Sequence, residues 1–291
     1  MIPGEFEYHA PSNLDEAVAL LERFGDDAKV LAGGHSLVPA MRFRLALPEH
    51  LVDLNRIDGL AYIREEGGHL ALGSMTREAD LEHSSLVAER YPLLADAGRV
   101  IADPLVRNRG TVGGNLAHAD PANDHPAVVL AYGATLVAHG SGGRREIHAD
   151  DFFVGLFESA LQPNEILVEI RIPSPGPGSG GAYEKFERKV GDYAISAVAV
   201  QLTMSGSTCT SARIGLTNVS PVPMRATNAE AVLAGSGVTE DVVEAAGQAA
   251  AAECDPSADL RGSEDYKRDV TRVLVKRAIR RAVQRAQGGA A

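Results

Sequence analysis

The sequence predicts an α+β fold in two parts, and three observations carry that prediction. At 291 residues the chain has the length of two domains. Its clearest linker is Pro173-Ser174-Pro175-Gly176-Pro177-Gly178-Ser179-Gly180-Gly181, where proline removes backbone donors and glycine loosens the chain. Beyond it the texture changes: strand-like runs at 183–189, 196–204 and 209–217 are followed by helical runs at 228–233, 240–253 and 263–286. Strands that precede helices in this way fit an antiparallel sheet with helices packed on it. The boundary is placed inside the linker, separating residues 1–176 from 177–291.

The first part opens as helix, strand and turn. Ser12-Asn13-Leu14-Asp15 has the S-x-x-D form of a helix start. Ala17, Val18, Leu20, Leu21 and Phe24 fall near one helical face, and Gly25 is placed to end it. Residues 29–32 are short, apolar and strand-like, and 37–44 reads as a short helix. Residues 51–54 form another short strand, and 62–65 with 69–73 flank Gly67-Gly68 as a hairpin. Thr76 stands where it could cap a helix through Leu81, and 85–100 is a longer helix that Pro92 must interrupt. Residues 127–131 read as helix. Residues 135–138 and 144–148 read as strands around Ser141-Gly142-Gly143, and 166–172 alternates as a further strand.

The chain is organised around two double-glycine stretches, Ala32-Gly33-Gly34-His35-Ser36 and Thr111-Val112-Gly113-Gly114-Asn115. Glycine reaches positive φ without strain and, lacking Cβ, lets a ligand lie on the main chain. Two such turns edged by small polar residues can offer N–H groups to a pyrophosphate. Each can equally be a plain tight turn. Neither is followed by the lysine of a P-loop, and neither has the G-x-G-x-x-G spacing of a Rossmann turn, so a dinucleotide bound here is bound in another fold. Arg107-Asn108-Arg109-Gly110 leads into the second stretch, and Asp120-Pro121-Ala122-Asn123-Asp124 follows it as a turn with two carboxylates. Lys276, Arg277, Arg280, Arg281 and Arg285 read as a solvated basic face of the last helix.

Bulk properties exclude several functions. Hydrophobic residues make up 45% of the chain, which supports buried cores. The net charge of −11, from 39 acids against 28 bases, argues against general nucleic-acid or membrane-surface binding. Aromatic residues are 5% and Trp is absent, which leaves little for base stacking. No apolar run has the length of a membrane span, and Met1-Ile2-Pro3-Gly4-Glu5 lacks the segments of a signal peptide. Cys209 and Cys254 are too few for an iron–sulfur cluster or a structural zinc and read as buried thiols. No histidine stands in a metal-ligand spacing such as H-E-x-x-H, so no metal ligand is assigned.

The two double-glycine stretches, in this order and with Arg107 to Gly110, Asp120 to Asp124 and the ending Tyr266 to Ala278, resemble the FAD-binding (medium) subunit of the molybdenum hydroxylase family. The likeness is greatest to its aerobic carbon monoxide dehydrogenase branch and runs over essentially the whole chain. It implies a two-part FAD-binding domain of the vanillyl-alcohol-oxidase type, with subdomains of about 1–55 and 56–176, followed by a C-terminal α+β flavoprotein domain over 177–291. By this resemblance FAD is held by Val30, Leu31, Ala32, Gly33, Gly34, His35, Ser36 and Leu37 and by Thr111, Val112, Gly113, Gly114 and Asn115, with the glycines at the pyrophosphate. Asp124 matches an aspartate that accepts hydrogen bonds from ribityl hydroxyls; its other reading is a helix cap before Pro126. Ile101 matches a position packed near the flavin or adenine. Lys185 matches a lysine beside the flavin ring, where a cation stabilises the reduced form; its other reading is a solvent-facing strand lysine. Tyr193 resembles the aromatic that covers the isoalloxazine, against a reading as a buried structural tyrosine.

The same resemblance implies a division of labour. A large subunit with a molybdenum cofactor oxidises substrate, a small subunit with iron–sulfur clusters relays electrons, and this chain carries FAD and passes the electrons to a quinone or another acceptor. It implies a dimer of heterotrimers in the cytoplasm, with peripheral association at the inner face of the membrane, and no catalytic side chain here. Arg107 and Arg109 are the expected docking charges. Two other readings stand beside it: a self-contained flavin oxidoreductase of the same fold, and a flavin-free assembly subunit. Fold alone does not choose among them.

Overall fold

In the computed structural model, which describes residues 2–289, the chain begins with β1 (Glu7–His9) and α1 (Leu14–Phe24). The helix starts at Asn13 rather than Ser12. Asn13 Oδ1 accepts from the Glu16 N–H at 2.9 Å, and the Glu16 carboxylate in return accepts from the Ser12 N–H at 2.8 Å. Gly25 ends the helix at φ 53°. β2 (Ala28–Leu31), α2 (Leu37–Arg42) and β3 (His50–Asp53) follow. The three strands form a parallel sheet in the order β1-β3-β2, and α1 packs Ala17, Val18 and Leu21 into a core with Ala28, Val52 and Leu54.

The expected hairpin is present as β4 (Ile63–Glu66) and β5 (His69–Gly73). Thr76 does not cap α3 (Glu78–Glu82); its hydroxyl bonds the Tyr62 main chain instead. Pro92 divides residues 85–100 into α4 (Ser85–Arg90) and α5 (Pro92–Val100). Then come α6 (Pro104–Arg107), α7 (Val112–His118) and α8 (Asp124–Tyr132). β6 (Thr135–Gly140), β7 (Gly143–His148), the small hairpin β8 (Phe153–Gly155) with β9 (Glu158–Ser159), and β10 (Ile166–Pro173) complete this region. The antiparallel sheet runs β4-β5-β10-β6-β7, and its strands join α5, α7 and α8 in a core that includes Leu72, Leu94, Leu116, Val128, Leu136 and Ile170.

The linker is shorter than its composition suggests. Pro173 belongs to β10 and Ser179 opens β11 (Ser179–Glu187), which leaves 174–178 between strands. Gly180 and Gly181 are strand residues, and their small size serves packing: a Cβ on Gly180 would stand 2.0 Å from the Ala282 carbonyl oxygen. β11, β12 (Ala194–Ser205), β13 (Thr208–Thr217) and β14 (Met224–Arg225) form an antiparallel sheet in that order. It is joined in one core by α9 (Thr227–Leu233), α10 (Glu240–Glu253) and α11 (Glu264–Ala286). Cys209 and Cys254 are buried free thiols in that core, and burial pushes the Cys254 thiol up to about 12. No helix among the described residues is long and apolar enough to cross a membrane.

The basic residues of α11 are a solvated face only in part: Arg277 and Arg280 are exposed, while the others are drawn into ion pairs. Lys276 Nζ lies 2.6 Å from the Glu244 carboxylate, and Arg280 pairs with Glu240. Arg281 and Arg285 reach back to Asp96 on α5, at 2.8 and 2.7 Å. Asp96 is buried and also accepts from the Tyr183 N–H, so one carboxylate locks α11 and β11 onto α5. Asp96→Ala leaves Arg285 without a carboxylate and Arg281 with Glu184 alone, 3.2 Å away. It should lower stability by about 3 kcal/mol, read from urea denaturation. Glu240→Ala, at an exposed pair, should cost a small fraction of that.

Candidate functional site

The first glycine stretch leaves β2 and turns into α2. Gly34 sits at φ 78°, a region that L side chains rarely adopt. Gly33 is required for a different reason: a Cβ there would stand 2.4 Å from the Arg109 carbonyl oxygen and 2.8 Å from Gly110 Cα. The stretch therefore lies main chain against main chain on the approach to the second one. Among the described residues, the N–H groups of Gly33, Gly34, His35 and Ser36 have no acceptor. Gly33 and Gly34 are half-buried and His35 and Ser36 exposed, so these successive donors remain available to an anion.

The second stretch departs from its expected form. It is not a free loop but the start of α7, with Thr111 as the cap and Gly113 and Gly114 in the first turn. Its donors are consumed inside the protein. Val112 N–H donates to Thr76 O at 3.0 Å, Gly113 N–H to Ser74 O at 2.9 Å, and Gly114 N–H to Thr111 Oγ1 at 3.1 Å. The glycines are there for contact. A Cβ on Gly113 would meet Ser74 Cβ at 2.5 Å, and one on Gly114 would lie 3.5 Å from Ala32 Cβ. Beside them Asn115 Oδ1 is buried with no hydrogen-bond partner.

Two residues absent from the sequence-based set hold the stretches in register. Asn55 donates to Ala32 O at 2.9 Å and accepts from Arg77, which also donates to Arg109 O at 2.6 Å. One guanidinium thus ties both stretches. Asn55 and Arg77 lie in no recognisable motif, and no sequence signal marks them. Val30 and Leu31 on β2, and Leu37 at the start of α2, flank the contact in sequence.

From Asn115 the site continues. Its carbonyl accepts from Asn123 Nδ2 at 2.8 Å, and Asp124, the next residue, opens α8 fully buried without capping it by its side chain. Asp124 Oδ1 accepts from the Tyr183 hydroxyl at 2.6 Å and Oδ2 from Lys185 Nζ at 3.1 Å. Burial pushes the Asp124 carboxyl above its ordinary value, and Lys185 is the chief influence opposing it. Burial also raises the Tyr183 phenol well above the usual tyrosine range. Lys185 is neither a solvent-facing lysine nor a free cation. Its side chain is 3% exposed, it donates to Val100 O at 3.0 Å, and Glu187 Oε2 stands 3.3 Å away.

Val100 adjoins the buried Ile101, and Gly191 closes on the same turn, where a Cβ would stand 2.9 Å from Ala102 O. Tyr193 follows, 43% exposed, with the Arg261 guanidinium 5.7 Å from its ring centre. Arg107 is not a docking charge. It is buried, donates to Ile101 O at 2.9 Å and to Ala102 O at 3.3 Å, and pairs with Glu82 at 2.7 Å. Arg109 does carry an exposed side chain.

The site residues thus form one continuous path: 32–36, 110–115, 123–124, 183–185, 100–102 and 191–193. One end offers unpaired N–H groups, and a half-exposed aromatic stands at the other. Between them lie an unpartnered amide oxygen and a carboxylate bonded to a phenol and an ammonium. That donor set fits a long ligand with phosphate at one end, hydroxyls in the middle and a flat ring at the other.

The comparisons agree with this chemistry. Residues 4–175 match the family described as the FAD binding domain in molybdopterin dehydrogenase, and residues 181–282 match the CO dehydrogenase flavoprotein C-terminal domain. The chain is 51% identical over 282 residues to the carbon monoxide dehydrogenase medium chain of Hydrogenophaga pseudoflava, covering 97% of this chain and 98% of that one. It is 39% identical to the 6-hydroxypseudooxynicotine dehydrogenase complex subunit alpha of Paenarthrobacter nicotinovorans, covering 99% and 97%. A solved carbon monoxide dehydrogenase structure from Hydrogenophaga pseudoflava superposes with a TM-score of 0.96 at 53% identity, over 98% of this chain and 99% of that one. With both parts matched in this way, the chain belongs to the FAD-binding medium subunits of the molybdopterin dehydrogenase family.

Proposed function

We propose that this chain is the FAD-carrying electron-transfer subunit of a molybdenum hydroxylase complex of the carbon monoxide dehydrogenase type. A large subunit bears the molybdenum site and a small subunit the iron–sulfur clusters. This chain takes electrons from those clusters and passes them to a quinone or another acceptor. The identity to carbon monoxide dehydrogenase medium chains, higher than to the 6-hydroxypseudooxynicotine dehydrogenase subunit, supports carbon monoxide as the substrate of the complex. The proposed assembly is a dimer of heterotrimers in the cytoplasm, peripheral to the membrane through its acceptor. Residues 1–176 are proposed as the FAD-binding domain and 177–291 as the domain that completes the site.

The single observation that carries the cofactor role is the direct contact of the two glycine stretches, with unpaired N–H groups on the first. Gly33, Gly34, His35 and Ser36 take the pyrophosphate, while the second stretch supplies shape and the Asn115 amide oxygen. Asp124 accepts from ribityl hydroxyls with the lone pairs that Tyr183 and Lys185 leave free. Lys185 opposes the effect of burial on that carboxyl and holds it in place. Ile101 and Tyr193 flank the ring end. When bound, FAD supplies the exchange between one- and two-electron chemistry.

The test is to denature the purified protein and identify the released flavin by chromatography. One FAD per chain is expected; FMN alone would overturn the reading. The FAD-loaded chain by itself should stay oxidised under anaerobic carbon monoxide and be reduced only with its partner subunits. Arg77→Leu should weaken FAD binding by roughly 10-fold to 100-fold through loss of register between the stretches, with the fold retained by circular dichroism. An unchanged affinity would remove Arg77 from the site.

A further inference from the structure

β1 and β3 pair in parallel with Glu7 opposite His50, and Glu7 and His9, two residues apart, share one face of β1. Three ligand atoms converge there. His9 Nε2 lies 3.1 Å from His50 Nδ1, and Glu7 Oε2 lies 3.4 Å from His50 Nδ1 and 3.8 Å from His9 Nε2. A tetrahedral zinc ion with bonds of about 2.0–2.1 Å holds its ligand atoms about 3.3 Å apart. The circle through three points with the observed separations has a radius of about 2.0 Å, so one ion reaches all three atoms with little movement.

We propose that Glu7, His9 and His50 form a divalent metal site of the zinc class, with water completing the coordination. Two imidazoles and one carboxylate suit zinc and its neighbours rather than calcium or magnesium, which prefer all-oxygen sites. The rings are held in place before any ion arrives. Phe24, at the end of α1, stacks on His50 at 3.6 Å and on His9 at 5.2 Å between ring centres. The His9 and His50 side chains are 23% and 15% exposed and that of Glu7 72%, so the imidazoles are sheltered while the carboxylate stands on the open side where an ion would enter. Without metal, one nitrogen must donate to the other; with metal, both are acceptors. No local spacing announces the site, because 41 residues separate the two histidines. Its occupation ties the short edge strand β1 to β3, the strand that leads to Asp53 and to Asn55 at the first glycine stretch.

The experiment uses the full-length, FAD-loaded chain, stripped with EDTA and dialysed, then titrated with zinc chloride alone by calorimetry. One zinc per chain at micromolar affinity or tighter is expected, with a rise in the thermal midpoint. His9→Gln should weaken that site by roughly 100-fold and Glu7→Gln by roughly 10-fold, with FAD content and circular dichroism unchanged in both. Failure of the wild-type chain to take up one zinc overturns the proposal. So does an unaltered affinity in His9→Gln, which would place the ion on other side chains.

Discussion

Gly33→Ala should strip the chain of FAD. The added methyl would stand 2.4 Å from the Arg109 carbonyl oxygen and 2.8 Å from Gly110 Cα, both main-chain atoms that no side-chain rotation can move. Either the first stretch withdraws or residues 109–110 are pushed aside, and in both cases the open N–H groups lose their aim. FAD affinity should fall by more than about 100-fold, or some 2.7 kcal/mol. The same change at Gly114 is much milder. There the methyl meets Thr111 Oγ1 at 2.6 Å and Ala32 Cβ at an ordinary 3.5 Å. Loss of the Thr111 cap costs about 1 kcal/mol of stability, so Gly114→Ala should hold FAD within about tenfold of wild type. Flavin fluorescence titration of both variants checks the pair. Equal retention of FAD would detach the contact between the stretches from binding.

Lys185→Met should cost about 3–5 kcal/mol of folding stability, because it leaves Asp124 buried beside Glu187 without a cation. The loss should depend on pH. Lys185 is the main influence holding the Asp124 carboxyl down against burial, so the variant raises that carboxyl further above its unfolded value. The folded variant then binds a proton that the unfolded chain has released. Stability therefore falls as pH rises from the unfolded value of the carboxyl toward its raised folded one. The gap between variant and wild type should narrow when the measurement moves from pH 8 to pH 5. Adding Asp124→Asn to Lys185→Met removes the unpaired charge and should restore part of the stability, as urea midpoints will show. A double variant no more stable than the single one would mean that the pair is not coupled.

α1 is legible because it buries one face and so repeats Ala17, Val18 and Leu21 at the helical period; the β4–β5 hairpin is legible from the Gly67-Gly68 turn between its strands. β1 is not legible: Glu7-Tyr8-His9 has no apolar alternation, and the strand exists through parallel pairing with His50 to Val52. Glycine misleads in two places. At 180–181 it reads as linker although it lets α11 lie on β11, and at 113–114 it reads as a loop although it opens a helix against Ser74. Charge misleads when the partner is remote. Arg281 and Arg285 look solvated until Asp96, 185 and 189 residues upstream, is placed between them. Lys185 looks exposed until Asp124, 61 residues away, is set against it. The roles proposed for Asp124 and Lys185 rest on the family likeness and not on any local pattern, since chemistry assembled over such distances leaves none.

The proposed site draws its residues from both sides of 174–178, although the residues assigned to the phosphate end all precede β11. The proposed ring end also needs β11, which docks on α5 and carries Lys185, and the turn before β12, which carries Tyr193. Bound as proposed, FAD would bridge the two halves, so its binding and their closure should reinforce each other. Limited proteolysis should then cut the apoprotein at 174–178 faster than the FAD-loaded chain.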